Sequence, residues 1–220
     1  MIFRLLGDSA LVICYGSSGD NIYNSDNLYS KIYHDYYTLR QKILPGIVDI
    51  ILCYSSIGVY YNPEIITAED IEVHIGTILG SSPGIPTESP VPVRIPVYYG
   101  GEFGPDLTNV AEGTGLTQEE VITAHTGRIY TVWSIGFLPG FPYLGRLPSN
   151  LVLPRKPIPA AKVAAGSVAI AGHQTAIYPF DSPGGWHVIG RTTLKLFDLQ
   201  LQEPCLLKPG DLVEFIPAVQ

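Results

Sequence analysis

The stretch Gly80-Ser-Ser-Pro-Gly-Ile-Pro-Thr-Glu-Ser-Pro90 is turn and linker chemistry from end to end. Proline usage changes across it. Only Pro45 and Pro63 precede it, whereas seventeen of the nineteen prolines lie from Pro83 onward. A domain boundary is therefore expected inside this stretch, dividing the chain into residues 1–85 and 86–220, and the two sides carry different periodicities.

Toward the N-terminus the chain reads as mixed α/β. Ala10–Tyr15 is a short apolar strand closed by Gly16-Ser-Ser-Gly19. Over Ser25–Leu44, the residues Leu28, Ile32, Tyr36, Leu39 and Ile43 recur at helical spacing, and Pro45-Gly46 stops the helix. Ile47–Tyr54 and Gly58–Tyr61 are β-branched and aromatic strands. Thr67 caps a second helix with Asp70 at its third position, running to about Leu79. If Val91–Tyr98 returns to the same sheet, the order is βαββαβ, a ferredoxin-like layout.

Toward the C-terminus, Thr117 and Glu120 form a capping box for a helix ending near His125. Short β runs follow at Ile129–Ile135, Ser167–Ala171, Thr175–Tyr178, His187–Ile189, Leu194–Phe197 and Leu212–Ile216, punctuated by Gly and Pro. This pattern indicates a barrel or sandwich. The fold class is thus α+β, a small α/β domain followed by a β-barrel domain.

Composition excludes several functions. With 46% hydrophobic and 15% charged residues the 220-residue chain is not disordered. A net charge of −7 argues against general nucleic-acid binding. No apolar run reaches about 18 residues, and the first residues lack a secretory h-region, so no membrane association and a cytoplasmic location are expected. Cys14, Cys53 and Cys205 are odd in number and match no zinc spacing; they suit buried thiols, and no metal site is expected. No phosphate loop of the G-x-x-x-x-G-K-[ST] type, no G-x-S-x-G elbow and no H-E-x-x-H is present. Ser167, in a small-residue strand without an evident base, reads as structural.

Charge is unevenly placed. From Thr126 to Lys195 seven basic residues stand against a single acid, Asp181. Such a stretch suits an anionic small molecule or an acidic surface, or is a set of solvated loop charges. His34 and His74 read as ordinary helix histidines. His125, at a helix end, either caps carbonyls or enters a pocket.

Gly136-Phe-Leu-Pro-Gly-Phe-Pro-Tyr-Leu-Gly145 packs three glycines, two prolines and three aromatics into ten residues. It is read as a rigid aromatic loop, neither helix nor central strand, serving as a structural turn or as a binding wall. Gly172–Pro179 and Ser182–Arg191 share this character and present Gln174, Thr175, Tyr178, Trp186 and Arg191. An aromatic floor with a few directed polar groups is the usual make-up of a small-molecule pocket.

Long runs in this half resemble one family. They are His125-Thr-Gly-Arg-Ile-Tyr-Thr-Val-Trp-Ser-Ile-Gly136 continuing through Gly145, Leu153-Pro-Arg-Lys156, Ala165-Gly-Ser-Val-Ala-Ile-Ala-Gly-His-Gln-Thr175 and Ser182-Pro-Gly-Gly-Trp-His-Val-Ile-Gly-Arg-Thr192. Tyr98–Leu107 and Gly7–Leu11 extend the match over nearly the whole chain. The chain is similar to the B subunit of 5-oxoprolinase, a group also called the KipI or allophanate hydrolase subunit 1 family. The resemblance implies a small α/β N-terminal domain and a cyclophilin-like β-barrel C-terminal domain. It implies partners, the C and A subunits of 5-oxoprolinase, with which the chain would hydrolyse 5-oxoproline to glutamate using ATP through an activated, phosphorylated lactam oxygen. Two relatives of that scaffold imply alternatives, an inhibitor of a sensor histidine kinase and a component of allophanate or urea-carboxylase metabolism.

Within this reading, residue chemistry proposes Arg155 and Arg191 for substrate carboxylate or phosphate and His125 for proton transfer. Gly140, Phe141, Tyr143 and Trp186 would form the binding wall, with Gln174, Thr175 and Tyr178 as hydrogen-bond donors. Two departures stand out: Pro159-Ala-Ala-Lys162 where a second Arg is common, and Ala176 where Gly is common. His173 occupies a variable position.

Overall fold

The computed structural model describes residues 1–15, 26–42, 44–80 and 91–219, and of residues 26 and 27 the backbone alone. The turn expected at Gly16–Gly19, the helix start at Ser25, Ile43 and linker positions 81–90 lie outside the described residues. Backbone contacts separate two compact units, Met1–Ser89 and Pro90–Gln220.

The first unit is a four-stranded antiparallel sheet. Its elements are β1 (Ile2–Leu5), β2 (Ala10–Cys14), α1 (Asp26–Gln41), β3 (Ile47–Leu52), β4 (Ser56–Tyr61) and α2 (Ala68–Gly80). The strand order is β1-β2-β4-β3. Both helices cover one sheet face, where Leu11, Ile13, Ile57 and Val59 meet Ile32, Leu39, Ile71 and Ile75. Thr67 caps α2 as expected, its hydroxyl accepting the Asp70 N–H at 3.2 Å. The βαββαβ order does not hold. Val93–Tyr99 does not return to this sheet. The place beside β2 is taken by β1, an N-terminal strand that pairs Ile2 with Cys14 and Leu5 with Leu11. The strand arrangement of a ferredoxin-like sheet is kept, with its last strand supplied from the other end of the unit. The thiols also differ from expectation: Cys53 is exposed, and Cys14 and Cys205 are half-buried.

The second unit is built on β5 (Val93–Tyr99), α3 (Leu107–Thr114), α4 (Gln118–Thr126), β6 (Ile129–Ile135), β7 (Pro142–Gly145), β8 (Ala160–Val163), β9 (Ser167–Ala171), β10 (Gln174–Ile177), β11 (Ser182–Gly184), β12 (His187–Arg191) and β13 (Leu212–Pro217). Seven strands close a barrel in the order β10-β7-β6-β13-β5-β12-β9, with β10 pairing β9. β8 and β11 form a separate two-stranded arm. Closure removes the open sheet edges. Strand alternation then fills the interior: Ile95 and Val97, Tyr130 and Val132, Val168 and Ile170, Val213 and Phe215 all point inward and are fully or almost fully buried. The α4 capping box is present, Thr117 and Glu120 bonding reciprocally.

Three segments of this half depart from their sequence pattern. Pro142–Gly145 is a barrel strand and not only a loop. Pro142 stands at its first residue, where a missing N–H is tolerated, and the close face of Gly145 receives the Trp133 ring. Leu194–Phe197 is not a strand; Phe197 makes only an isolated bridge to Cys205. Leu107–Thr114 is a helix that hydrophobic spacing did not announce, because its eight residues span little more than two turns.

Candidate functional site

The outer face of the barrel carries a second apolar layer. Ala169 and Val188, whose neighbours Val168 and Ile189 face the interior, point outward here with Ala171 and Ala176. These small residues leave room for three aromatic rings on top: Phe141, Tyr178 and Trp186. Phe141 stands at the centre. Its ring meets Tyr143 at 4.9 Å, Tyr178 at 5.1 Å and 90°, and Trp186 at 6.1 Å and 87°. Edge-to-face contacts of this kind fix ring orientation more firmly than area burial alone.

These rings, with Phe137, Arg155 and Gly184, line a cleft of about 230 Å³. Arg155 lies over the Trp186 ring, 5.9 Å from its centroid. It is exposed, and its guanidinium has no ion pair or hydrogen bond among the described residues. The two phenols are held in their neutral form. Burial pushes both the Tyr143 and Tyr178 hydroxyls up from their ordinary value, the Arg155 charge opposing only in part. The cleft is therefore lined by two phenols, apolar ring faces and the Arg155 cation at its edge. That set suits a small, flat, anionic molecule with a carbonyl to be held.

Two backbone positions shape the cleft. A side chain at Gly184 would collide with the Tyr178 hydroxyl. Phe137 is held at φ 68°, a left-handed conformation rare for an aromatic residue, by the γ-turn in which the Leu138 N–H bonds Gly136 O at 2.8 Å. It is 62% exposed and meets Phe141 edge-on at 5.3 Å. Strain of this kind costs about 1–3 kcal/mol, and little burial offsets it here. Phe137→Gly is expected to raise the midpoint of urea unfolding while weakening ligand retention in the cleft. A variant that is less stable than wild type would show that Phe137 packs for the fold.

The remaining expected site residues lie elsewhere. His125 is wholly buried inside the barrel, with Nδ1 2.8 Å from the Tyr99 hydroxyl and Nε2 2.9 Å from Thr175 Oγ1. Burial drives its pKa down to about 3. It is a neutral tie between α4, β5 and β10, and its placement does not fit the proton-transfer role expected for it. Thr175 is its partner and also donates to Ala169 O at 3.2 Å, so it too faces inward and not toward a ligand. Gln174, its strand neighbour, points the other way but outside the lining of the aromatic cleft. Gly140 (φ 75°) is needed where the chain passes within contact of Leu196 and Phe197, and it is not part of the cleft lining. Arg191 lines a different cleft. The structure thus brings together Phe141, Tyr143, Arg155, Tyr178 and Trp186. Phe137 joins them, and only its place in the aromatic block could have suggested it. Among the described residues no cluster of three or more metal-ligating side chains occurs, and no helix is long and apolar enough to cross a membrane.

The second unit is thus a closed barrel with an external aromatic cleft and an exposed guanidinium at its edge. Comparison with known proteins places it further. Residues 1–207 match the family model for the carboxyltransferase domain, subdomain C and D. Over 182 residues the chain is 45% identical to the B subunit of 5-oxoprolinase from Escherichia coli O157:H7, covering 81% of this chain and 83% of that protein. It is 38% identical to the B subunit of 5-oxoprolinase from Bacillus subtilis, covering 96% and 90%. The chain belongs to the carboxyltransferase subdomain C and D family and, within it, to the family of 5-oxoprolinase B subunits. The crystal structure of TTHA0988 superposes with a TM-score of 0.82 at 32% identity, covering all of this chain and 41% of that longer one.

Proposed function

We propose that the chain is the B subunit of a cytoplasmic, ATP-dependent 5-oxoprolinase that converts 5-oxo-L-proline to L-glutamate together with the A and C subunits, and that it is inactive alone. The observation that carries this reading is the exposed Arg155 guanidinium, without an ion pair among the described residues, beside a cleft of aromatic rings and phenols. 5-Oxoproline is a small flat ring bearing one carboxylate and one lactam carbonyl. Arg155 binds the carboxylate through its planar fork. The aromatic lining, with Phe141 and Trp186 at its base, gives the lactam an apolar floor. The Tyr178 hydroxyl, protonated near neutral pH, donates toward the carbonyl, and such a donor gains strength if negative charge develops on that oxygen. The names of the relatives support this assignment, and ATP enters as a substrate of the complex.

Reconstitution tests it. This chain is mixed with the A and C subunits and 5-oxoproline-dependent glutamate and ADP release is followed, each component being omitted in turn. Activity is expected only when this chain is present. Turnover that persists without it would overturn the reading. The carboxyltransferase character of the family favours one second reading, a part in carboxyl transfer, which predicts biotin-dependent carboxylation of a small amide by the assembled complex, bicarbonate being activated by ATP with release of ADP and phosphate, and no glutamate formed.

A further inference from the structure

Arg155 and Lys156 are consecutive, yet they line different clefts. Arg155 borders the aromatic one, while Lys156 lines a second cleft of about 370 Å³ that also contains Ala160 and Lys162 of the β8–β11 arm. Lys156, Lys162 and Arg191 converge here from three separate elements, and a single carboxylate, Asp106, shares the lining.

The polar groups of this second cleft are unevenly satisfied. Asp106 Oδ2 receives Lys156 Nζ and the Val188 N–H, both at 2.7 Å, so it acts as a fixed post that holds Lys156 in place. Lys162 pairs with Asp181 at 2.8 Å in an exposed contact of small energetic weight. Arg191 lies over the Phe103 ring, 5.6 Å from its centroid. Its Nε is buried and has no hydrogen-bond partner among the described residues. Ser167 is 1% exposed and lines the cleft. Ser167 and Arg191 are direct cross-strand partners of β9 and β12, so their side chains share one face. Their backbone is pinned at Gly166 (φ 79°), whose carbonyl accepts the Thr192 N–H at 2.9 Å.

A buried donor without an acceptor, as Arg191 Nε is here, is costly unless a ligand supplies the acceptor. Three cations and a hydroxyl around one space call for a group with several charged oxygens, more than one carboxylate provides. We propose that this second cleft is a phosphate-binding site: Arg191 and Ser167 hold the oxyanion at its floor, Lys156 and Lys162 neutralise it at its sides, and Asp106 positions Lys156. The phosphate belongs either to a nucleotide or to free phosphate or pyrophosphate.

Calorimetric titration of the full chain at low ionic strength, with pyrophosphate, ADP, inorganic phosphate and glutamate as separate probes, tests this. Saturable one-site binding of pyrophosphate is expected, with glutamate giving no saturable heat. ADP binding more tightly than pyrophosphate assigns the site to a nucleotide; equal or weaker binding assigns it to free phosphates. Arg191→Gln is expected to weaken binding by about tenfold or more, Ser167→Ala by less, and Arg191→Lys to fall between wild type and Arg191→Gln. Arg155→Ala, in the other cleft, should leave the affinity unchanged. The proposal is overturned if no probe binds saturably. It is equally overturned if glutamate matches pyrophosphate, or if Arg191→Gln, shown folded by circular dichroism, binds as wild type does. The readout is binding to the chain by itself, so failure of the lactam reading would leave this test intact.

Discussion

Replacing His125 by alanine is expected to destabilise the barrel by on the order of 3–5 kcal/mol, a large share of the roughly 5–15 kcal/mol that holds a typical domain folded. The ring fills space among Tyr130, Phe215 and Tyr99, lying 4.6 Å from Phe215. Its removal leaves a cavity and also strips the Tyr99 and Thr175 hydroxyls of a partner in a fully buried place. His125→Phe restores volume but not the hydrogen bonds and should recover only part of the loss. Urea unfolding followed by circular dichroism reads both variants; a fall of less than about 1 kcal/mol in His125→Ala would show that the tie is dispensable.

The same residue sets a pH dependence. In the unfolded chain an imidazole titrates near 6.5, whereas burial holds His125 down at about 3 in the fold. Between these values the unfolded state takes up a proton that the folded state refuses. The stability linked to His125 is therefore complete above pH 6.5 and lost progressively as pH falls toward 3, by up to about 1.4 kcal/mol per pH unit. Unfolding midpoints at pH 7, 6 and 5 should decline in wild type and decline less steeply in His125→Phe. Parallel slopes for the two proteins would mean that another group carries the acid sensitivity.

The second large effect is expected at Arg155. In the reconstituted complex, Arg155→Ala should lower kcat/KM for 5-oxoproline by about 10- to 100-fold, since a hydrogen bond to a charged group contributes about 1.5–3 kcal/mol. Stability should be nearly unchanged, because the side chain is exposed and makes no ion pair among the described residues. Arg155→Lys keeps the charge but loses the planar fork and should fall between the two. The loss should appear mainly in KM if Arg155 binds ground state and transition state alike. Wild-type kcat/KM in Arg155→Ala would remove the carboxylate contact and with it the lactam assignment of the cleft.

Much of this arrangement is legible along the chain because its signals are local. The Thr117–Glu120 box reports the start of a helix through bonds that span three residues. The aromatic block Gly136–Gly145 marks a rigid aromatic segment through its composition, and Phe141 and Tyr143 line the cleft. His125 misleads for the same reason. A histidine at a helix end looks accessible in sequence, and nothing nearby tells that Phe215, ninety residues on, closes over it.

Local sequence signals suffice to place most of the turns, caps and strands, and to mark one half as rich in aromatic loops and basic residues, since these depend on neighbours along the chain. Which face of each strand lies inside depends instead on long-range packing. Alternation shows that β9 and β10 have two faces, but only barrel closure makes Thr175 internal and Ala176 external. Closure also draws Val93–Tyr99 into the barrel, where β12 and β13 pair with it on either side. Finally, it sets Arg155 and Arg191, one functional pair in the sequence, into two separate clefts. Long-range backbone pairing makes these choices, and a local pattern holds no record of which distant strand a given strand will meet.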